Sequence, residues 1–436
     1  MDGGDPAVQM SMAASTEGPA ELEQLGPFFP EPRACDDLLE RAAALVAEGH
    51  RLEAASGQLG AALRPLLRVM NACNSSELDG CPLAPRDLER AVAGQGDADP
   101  ERAHAQRLAR AHVAAEEGLA AALPTKRVGL YAPEFVQCIH AELHRAARPD
   151  RLEPAPGAED DVPGAWRERP ISGRDAPDPA DIADLLEWWQ GAYGRPFALE
   201  PAVVAAVCAP RRLLWVRPFE HGNGRTARLH TSLVLGALGL TQGLWSPYRG
   251  MARDRDGYLS RVRAAPAPRH PGATRRELES FATWLLDICL DEASAARERL
   301  DSERLKERMS DLLAWLGARP WVMGSERSVI KPDALEALHY TAITGPIERA
   351  RFIAMLGLQH RTGRRVLSSL IDFGLLVSES SRAPVRFNLP LASLRFLFPG
   401  FWPEAAAPEE PGSAAESSWP LAVPGRLAAG LAGSGG

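Results

Sequence analysis

Apolar residues recur at helical spacing along most of this chain, and that period constrains its fold more than any other feature. Ile182, Leu185, Leu186 and Trp189 fall at i, i+3, i+4 and i+7, with Asp178 placed to cap and Pro179 at the first helical position. Similar stripes run through 38–66, 88–119, 135–144, 203–216, 227–238 and 278–290. Gly- and Pro-rich stretches at 148–180 and 266–272 interrupt them. The expectation is a mostly α chain.

The pattern changes near residue 295. A charged helix over 302–316 precedes candidate helices at 332–339, 348–356 and 361–373 and candidate strands at 375–378 and 385–389, the order of a winged helix-turn-helix. Residues 1–34 and 404–436 carry no sustained period and read as disordered ends. The expected organisation is therefore an N-terminal helical region over 35–122, a core over 123–295 and a winged helix over 296–403.

With Lys+Arg 49 against Asp+Glu 57, the net charge of −8 argues against a chain that coats nucleic acid over its whole surface, while leaving room for a local basic patch. Six scattered cysteines with no C-x-x-C pair read as buried thiols of a reducing cytosol. The first residues lack the basic start and apolar core of a signal peptide, and the longest apolar run, near 232–240, falls short of the roughly 20 residues that cross a bilayer. A cytoplasmic protein without membrane partners is expected; the composition says nothing of its oligomeric state.

The segment Arg217-Pro218-Phe219-Glu220-His221-Gly222-Asn223-Gly224-Arg225-Thr226-Ala227-Arg228 carries the chemistry. Gly222 and Gly224 permit a tight turn whose backbone approaches a ligand, and the helix that follows presents free N–H groups and its positive end. Arg225 and Arg228, three apart, add guanidinium forks suited to phosphate oxygens. Two readings meet here: a phosphate cradle, or a helix cap with two solvated arginines.

The stretch resembles the signature H-P-F-x-[D/E]-G-N-G-R-x-x-R of the Fic (Fido) family, matching it at Pro218, Phe219, Gly222, Asn223, Gly224, Arg225 and Arg228. Three further segments are similar to the family. Residues 74–80, with Ser75, Asp79 and Gly80, resemble its inhibitory-helix motif; Gly164-Ala165-Trp166-Arg167 resembles the start of its target-peptide flap; and 244–246 with 253–259 resemble the helical segment after its core. The similarity covers about 36–295. It implies a helical core with a small β-hairpin flap in which Phe219, Gly222, Asn223, Gly224, Arg225 and Arg228 bind ATP, and in which AMP passes to a Ser, Thr or Tyr hydroxyl of a protein target.

Two departures fall on the two chemical roles. Arg217 stands where the family has its general-base His, and a guanidinium accepts no proton. A missing base costs roughly 10²–10⁴-fold. His221 stands where the family has the acid that holds Mg²⁺, and imidazole is a poor ligand for that hard cation. The expected function is a nucleotide-binding scaffold with attenuated transfer; the other reading is a non-catalytic nucleotide-sensing regulator. Rescue by His221 as base, or by Arg217 in place of the metal's charge, stays open. In the inhibitory motif Asp79 is one methylene shorter than the family's Glu; a pair with Arg228 is expected to form directly or through water, or else 75–80 is only a helix end with Gly80 beyond its cap.

His140 and His144 have the i, i+4 spacing of metal ligands but lack the H-E-x-x-H arrangement, and they read as packed helix. Trp188, Trp189 and Trp215 read as core. Arg361, Arg364 and Arg365 open the presumed recognition helix, where they would contact DNA or stand solvated on a dimerisation module.

Overall fold

The computed structural model describes residues 35–92, 96–123, 129–145, 162–171, 176–263, 271–318 and 330–398. The ends read as disordered, 1–34 and 404–436, lie outside the described residues.

The first stripe is two helices, α1 (Asp36–Ala55) and α2 (Gly57–Leu78), because Gly57 at φ +31° turns the chain between them. Next come α3 (Pro85–Val92), α4 (Pro100–Ala122) and α5 (Pro133–Arg145). Asp178 caps as expected, accepting from the Ala180 N–H at 2.9 Å, and one 3₁₀ turn leads into α6 (Ile182–Tyr193). The centre of the molecule is α7 (Leu199–Val216), buried on nearly every face against α1, α6, α8 (Asn223–Ala237) and α11 (Pro271–Arg299). α7 is a core helix that buries Arg211 and Arg212 along with its apolar residues, and truncating Leu213 or Leu214 to Ala there would cost about 2–5 kcal/mol. Short helices α9 (Tyr248–Arg253) and α10 (Arg255–Arg263) link α8 to α11.

α11 runs past the expected domain boundary at 295–296 and is followed by α12 (Ser302–Gly317), α13 (Ala334–Thr344), α14 (Arg349–Met355), α15 (His360–Phe373), β1 (Leu376–Val377), β2 (Arg386–Phe387) and α16 (Leu394–Leu397). β1 and β2 pair antiparallel with Leu376 opposite Phe387, and Ile347 bridges Val385. The apolar core runs continuously from α1 into this unit, where α13 packs on α2.

Among the described residues β1–β2 is the only sheet. Residues 162–171 and 176–178, in the segment expected to form the flap, contain no strand; 146–161 and 172–175 lie outside the described residues. Four cysteines are buried, but Cys81 is exposed and Cys138 half-buried, contrary to the expectation that all six would be buried. Trp189 and Trp215 are core, while Trp188 stands 47% exposed because α6 turns that position to solvent. No helix among the described residues is long and apolar enough to cross a membrane.

Candidate functional site

The site forms where the C-terminal end of α2 meets the N-terminal end of α8. α2 closes in a Schellman turn: the Cys81 N–H reaches the Ser76 carbonyl at 2.9 Å and the Gly80 N–H the Glu77 carbonyl at 3.0 Å, with Gly80 at φ +84°. That turn carries the Asp79 carboxylate off the helix end. Asp79 Oδ1 accepts from Arg228 Nη2 at 2.6 Å and Oδ2 lies 2.7 Å from Arg225 Nη2, so one carboxylate bridges both arginines. Of the two alternatives, a direct contact and one through water, the pair takes the direct one. Gly224 leaves room for the pair: a Cβ there would lie 3.0 Å from Arg228 Nη1 and 3.7 Å from Asp79 Oδ1.

Both guanidinium groups are nearly enclosed, at 4% and 3% exposure for Arg225 and Arg228. Ser75 accepts from Arg228 through its carbonyl at 3.0 Å and its hydroxyl at 3.0–3.1 Å, and Tyr258 Oη accepts from Arg228 Nη1 at 3.2 Å. Burial raises the Asp79 carboxyl, but Arg228 and Arg225 outweigh it and hold it below the ordinary carboxylate range. Burial likewise opposes the Arg228 charge, and Asp79 and Tyr258 overcome it. Arg225 is the less compensated member: burial wins over Asp79 and lowers it. Its Nη1 is buried with no hydrogen-bond partner among the described residues.

The motif loop starts where α7 ends. Arg217 adopts φ +46°, ψ +64°, the left-handed region that an L side chain enters at a cost of about 1–2 kcal/mol. Gly222, at φ +72°, then starts α8. Asn223 closes the loop on itself, its amide oxygen accepting from the Phe219 N–H at 3.0 Å and its amide nitrogen donating to the Phe219 carbonyl at 2.6 Å. The Asn223 side chain thus clamps the loop, and the backbone N–H groups of the first helical turn of α8 lie beside it.

Below the loop, α5 supplies a stack from the two histidines that the sequence reads as packed helix rather than metal ligands. The His140 ring lies flat on Phe219, with centroids 3.8 Å apart, and His144 stacks on His140 at 4.2 Å. Trp166 packs on Phe219 at 5.0 Å. His140 Nδ1 accepts from the Gly164 N–H at 2.9 Å, so Nε2 carries the proton and donates to the His221 carbonyl at 3.2 Å. Burial lowers the His140 pKa to about 4, against the opposing effect of the His221 carbonyl. The i, i+4 spacing was the available signal, and the rings use it to seat the loop. A Cβ on Gly222 would overlap His144 Nε2.

Arg167, read as a flap residue, is 2% exposed and ties the flap to the loop: Nε donates to the Arg217 carbonyl at 2.8 Å, Nη2 to the Pro177 carbonyl at 2.6 Å, and its N–H to the Pro218 carbonyl at 2.8 Å. Its guanidinium is spent on backbone carbonyls, Nη1 donating to that of Arg169 at 3.1 Å. Gly164, at φ +88°, lets the flap cross close over α5. Trp166 keeps part of its surface at the site.

The residues present do not suit Mg²⁺. His221 offers nitrogen in place of the acid, and Glu220 turns toward Arg169, 3.5 Å away on the flap. Among the described residues no group of three His, Cys, Asp or Glu is placed to hold a metal. Sequence reasoning also gave no role to Tyr258 or to Arg255, whose Nε donates to the Glu77 carbonyl at 3.0 Å and ties α10 to the end of α2.

No protein-family model and no curated protein matches this chain. Among solved structures, the chain is similar to a Fic family protein from Desulfovibrio desulfuricans G20, with 17% identity over 80% of this chain and 96% of that one and a TM-score of 0.43. It is also similar to a Fic domain containing signaling protein from Bacteroides thetaiotaomicron VPI-5482, with 17% identity over 59% of this chain and 97% of that one and a TM-score of 0.43.

Proposed function

We propose that this chain is a Fic-type nucleotide-binding protein with attenuated AMP transfer, in which the phosphates of ATP take the place of Asp79 between Arg225, Arg228 and the leading end of α8. One observation carries the reading: a carboxylate bridges two buried guanidinium groups at a helix N-terminus, with Oδ1 2.6 Å from Arg228 and Oδ2 2.7 Å from Arg225. An anion is already accommodated there by the groups that suit phosphate oxygens. The unpartnered Nη1 of Arg225 supports a larger anion than one carboxylate.

The attenuation follows from the proton. Transfer to a Ser, Thr or Tyr hydroxyl of a protein target needs an acceptor for the hydroxyl proton, and Arg217 cannot be one. Both ring nitrogens of His140 are committed to Gly164 and His221. The exposed His221 is the remaining imidazole on the loop, and it sits four residues from the family's base position.

Calorimetric titration of ATP into the full chain and into Asp79→Ala, with and without Mg²⁺, tests the site. Binding that strengthens in the variant and is lost in Arg225→Ala supports it; no binding to either form sinks it. Labelled ATP then tests the chemistry, with Arg217→His/His221→Asp/Asp79→Gly expected to transfer label where the unmodified chain transfers little.

A second reading, a nucleotide-sensing regulator, is favoured by α2. One end of this helix carries Asp79; the other carries Gln58, on which Gly345 of the winged helix closes so tightly that a Cβ would lie 3.0 Å away. Withdrawal of Asp79 would thus reach α13 through one rigid helix. Amide exchange in α13 that changes on adding ATP supports this reading, and unchanged exchange counts against it.

A further inference from the structure

Residues 348–386 hold seven arginines against Glu348, Asp372 and Glu379, a local excess of four positive charges in a chain whose net charge is −8. Arg349 and Arg351 are used inside the unit. Arg349 donates to the Ala383 and Ser380 carbonyls, both at 3.0 Å, and Arg351 donates to Tyr340 Oη at 2.7 Å. The other five, Arg361, Arg364, Arg365, Arg382 and Arg386, stand exposed.

Packing decides where those five point. Val366, Leu367, Leu370 and Phe373 of α15 are buried, and Gly363 lets α15 cross α14 so closely that a Cβ would lie 2.8 Å from Ile353 Cγ2. The outward face of the first two turns of α15 is then Arg361, Arg364 and Arg365, at the end where the helix dipole adds to their charge. On the wing, Phe387 turns inward and Arg386 outward. Ser378 Oγ donates to the Ser380 and Ala383 carbonyls at 2.9 Å, and Ser380 Oγ accepts from the Arg382 and Ala383 N–H groups at 3.3 and 3.1 Å. With the two Arg349 bonds, this holds the wing tip in one shape and displays Arg382 there.

We propose that this face binds duplex DNA, with the leading turns of α15 entering the major groove and Arg382 and Arg386 lying along the flanking phosphates. An α-helix fits the roughly 12 Å major groove, where arginine forks match guanine edges as well as phosphates. A rigid wing with outward guanidinium groups matches the backbone beside that groove. The acidic remainder of the chain would repel DNA elsewhere, which confines binding to this face. The inference is independent of the nucleotide site.

The test uses the full chain and a fluorescein-labelled duplex of about 30 base pairs, followed by anisotropy at several NaCl concentrations. Each neutralised phosphate contributes about −0.9 to the slope of log K against log[salt], so five arginines predict a slope of about −4.5. Arg382→Glu/Arg386→Glu should flatten the slope by about 2, and Arg361→Glu/Arg364→Glu should weaken binding by more than tenfold, with melting temperatures within about 2 °C of the parent because all four positions are exposed. No binding at 50 mM NaCl, or binding indifferent to both double substitutions, overturns the proposal. Equal affinity for polyglutamate also overturns it and assigns the face to an acidic protein surface.

Discussion

Asp79 and Arg228 meet carboxylate to guanidinium at 2.6 Å although 149 positions separate them in the chain. The contact joins the end of α2 to the start of α8, and the same carboxylate holds Arg225. Replacing it should therefore change both nucleotide affinity and stability. In Asp79→Ala, ATP affinity measured by calorimetry is expected to rise about tenfold, roughly 1.4 kcal/mol. Loss of charge-assisted hydrogen bonds is expected to lower unfolding free energy by about 1.5–3 kcal/mol in denaturant titration. Unchanged affinity together with lowered stability would reduce the contact to a structural ion pair.

Arg217 holds a left-handed backbone at φ +46° that glycine adopts without strain. Arg217→Gly is expected to raise unfolding free energy by up to about 1 kcal/mol while weakening ATP binding, since it removes a positive charge from the loop. A variant more stable in urea and poorer in calorimetric titration is the signature. A variant less stable than the parent would show that the side chain has a structural role.

Gly222 is restrained twice, by φ +72° and by His144 Nε2 beneath it. Gly222→Ala should displace the loop or the α5 stack and cost about 2–4 kcal/mol, combining backbone strain with overpacking. Loss of ATP binding in a protein that still gives the helical circular dichroism of the parent would place the damage in the loop.

Burial pushes the Glu116 carboxyl from 4.5 up to about 7, with Asn71 Nδ2 donating to it at 2.8 Å. His112, 3.7 Å away, offers no charge, because its own burial and the nearby arginines hold it neutral. Between about pH 4.5 and 7 the folded chain keeps a proton on Glu116 that the unfolded chain has released. Glu116 therefore lowers stability as pH rises through that window, by about 3 kcal/mol in full. Glu116→Gln keeps an acceptor for Asn71 and removes the effect. Its melting temperature relative to the parent should climb between pH 5 and pH 8, and a constant difference across that range would contradict the assignment.

Much of this protein was legible locally. Asp178 and Pro179 announced α6, the apolar stripe announced α7, and the glycines at 222 and 224 announced a turn into a helix, because caps, periods and positive φ are properties of short segments. The break at Gly57 was missed, since one glycine between two stripes of similar period leaves the apolar count unchanged. The exposure of Trp188 was missed for a related reason: neighbours on a helix face opposite ways, and only the packing of α6 tells which one is inside.

The sequence by itself determined which groups the site contains: two guanidinium forks, a helix entered through a glycine turn, and an arginine at 217. Tertiary structure decided what those groups do. It brought Asp79 directly onto both arginines, turned the Asn223 side chain inward as a clamp, spent Arg167 on backbone carbonyls and laid His140 on Phe219. Each assignment depends on which distant segment supplies the partner, and in a chain where charge and hydrogen-bonding capacity must be satisfied on burial, that choice belongs to the packing of helices rather than to any local run of residues.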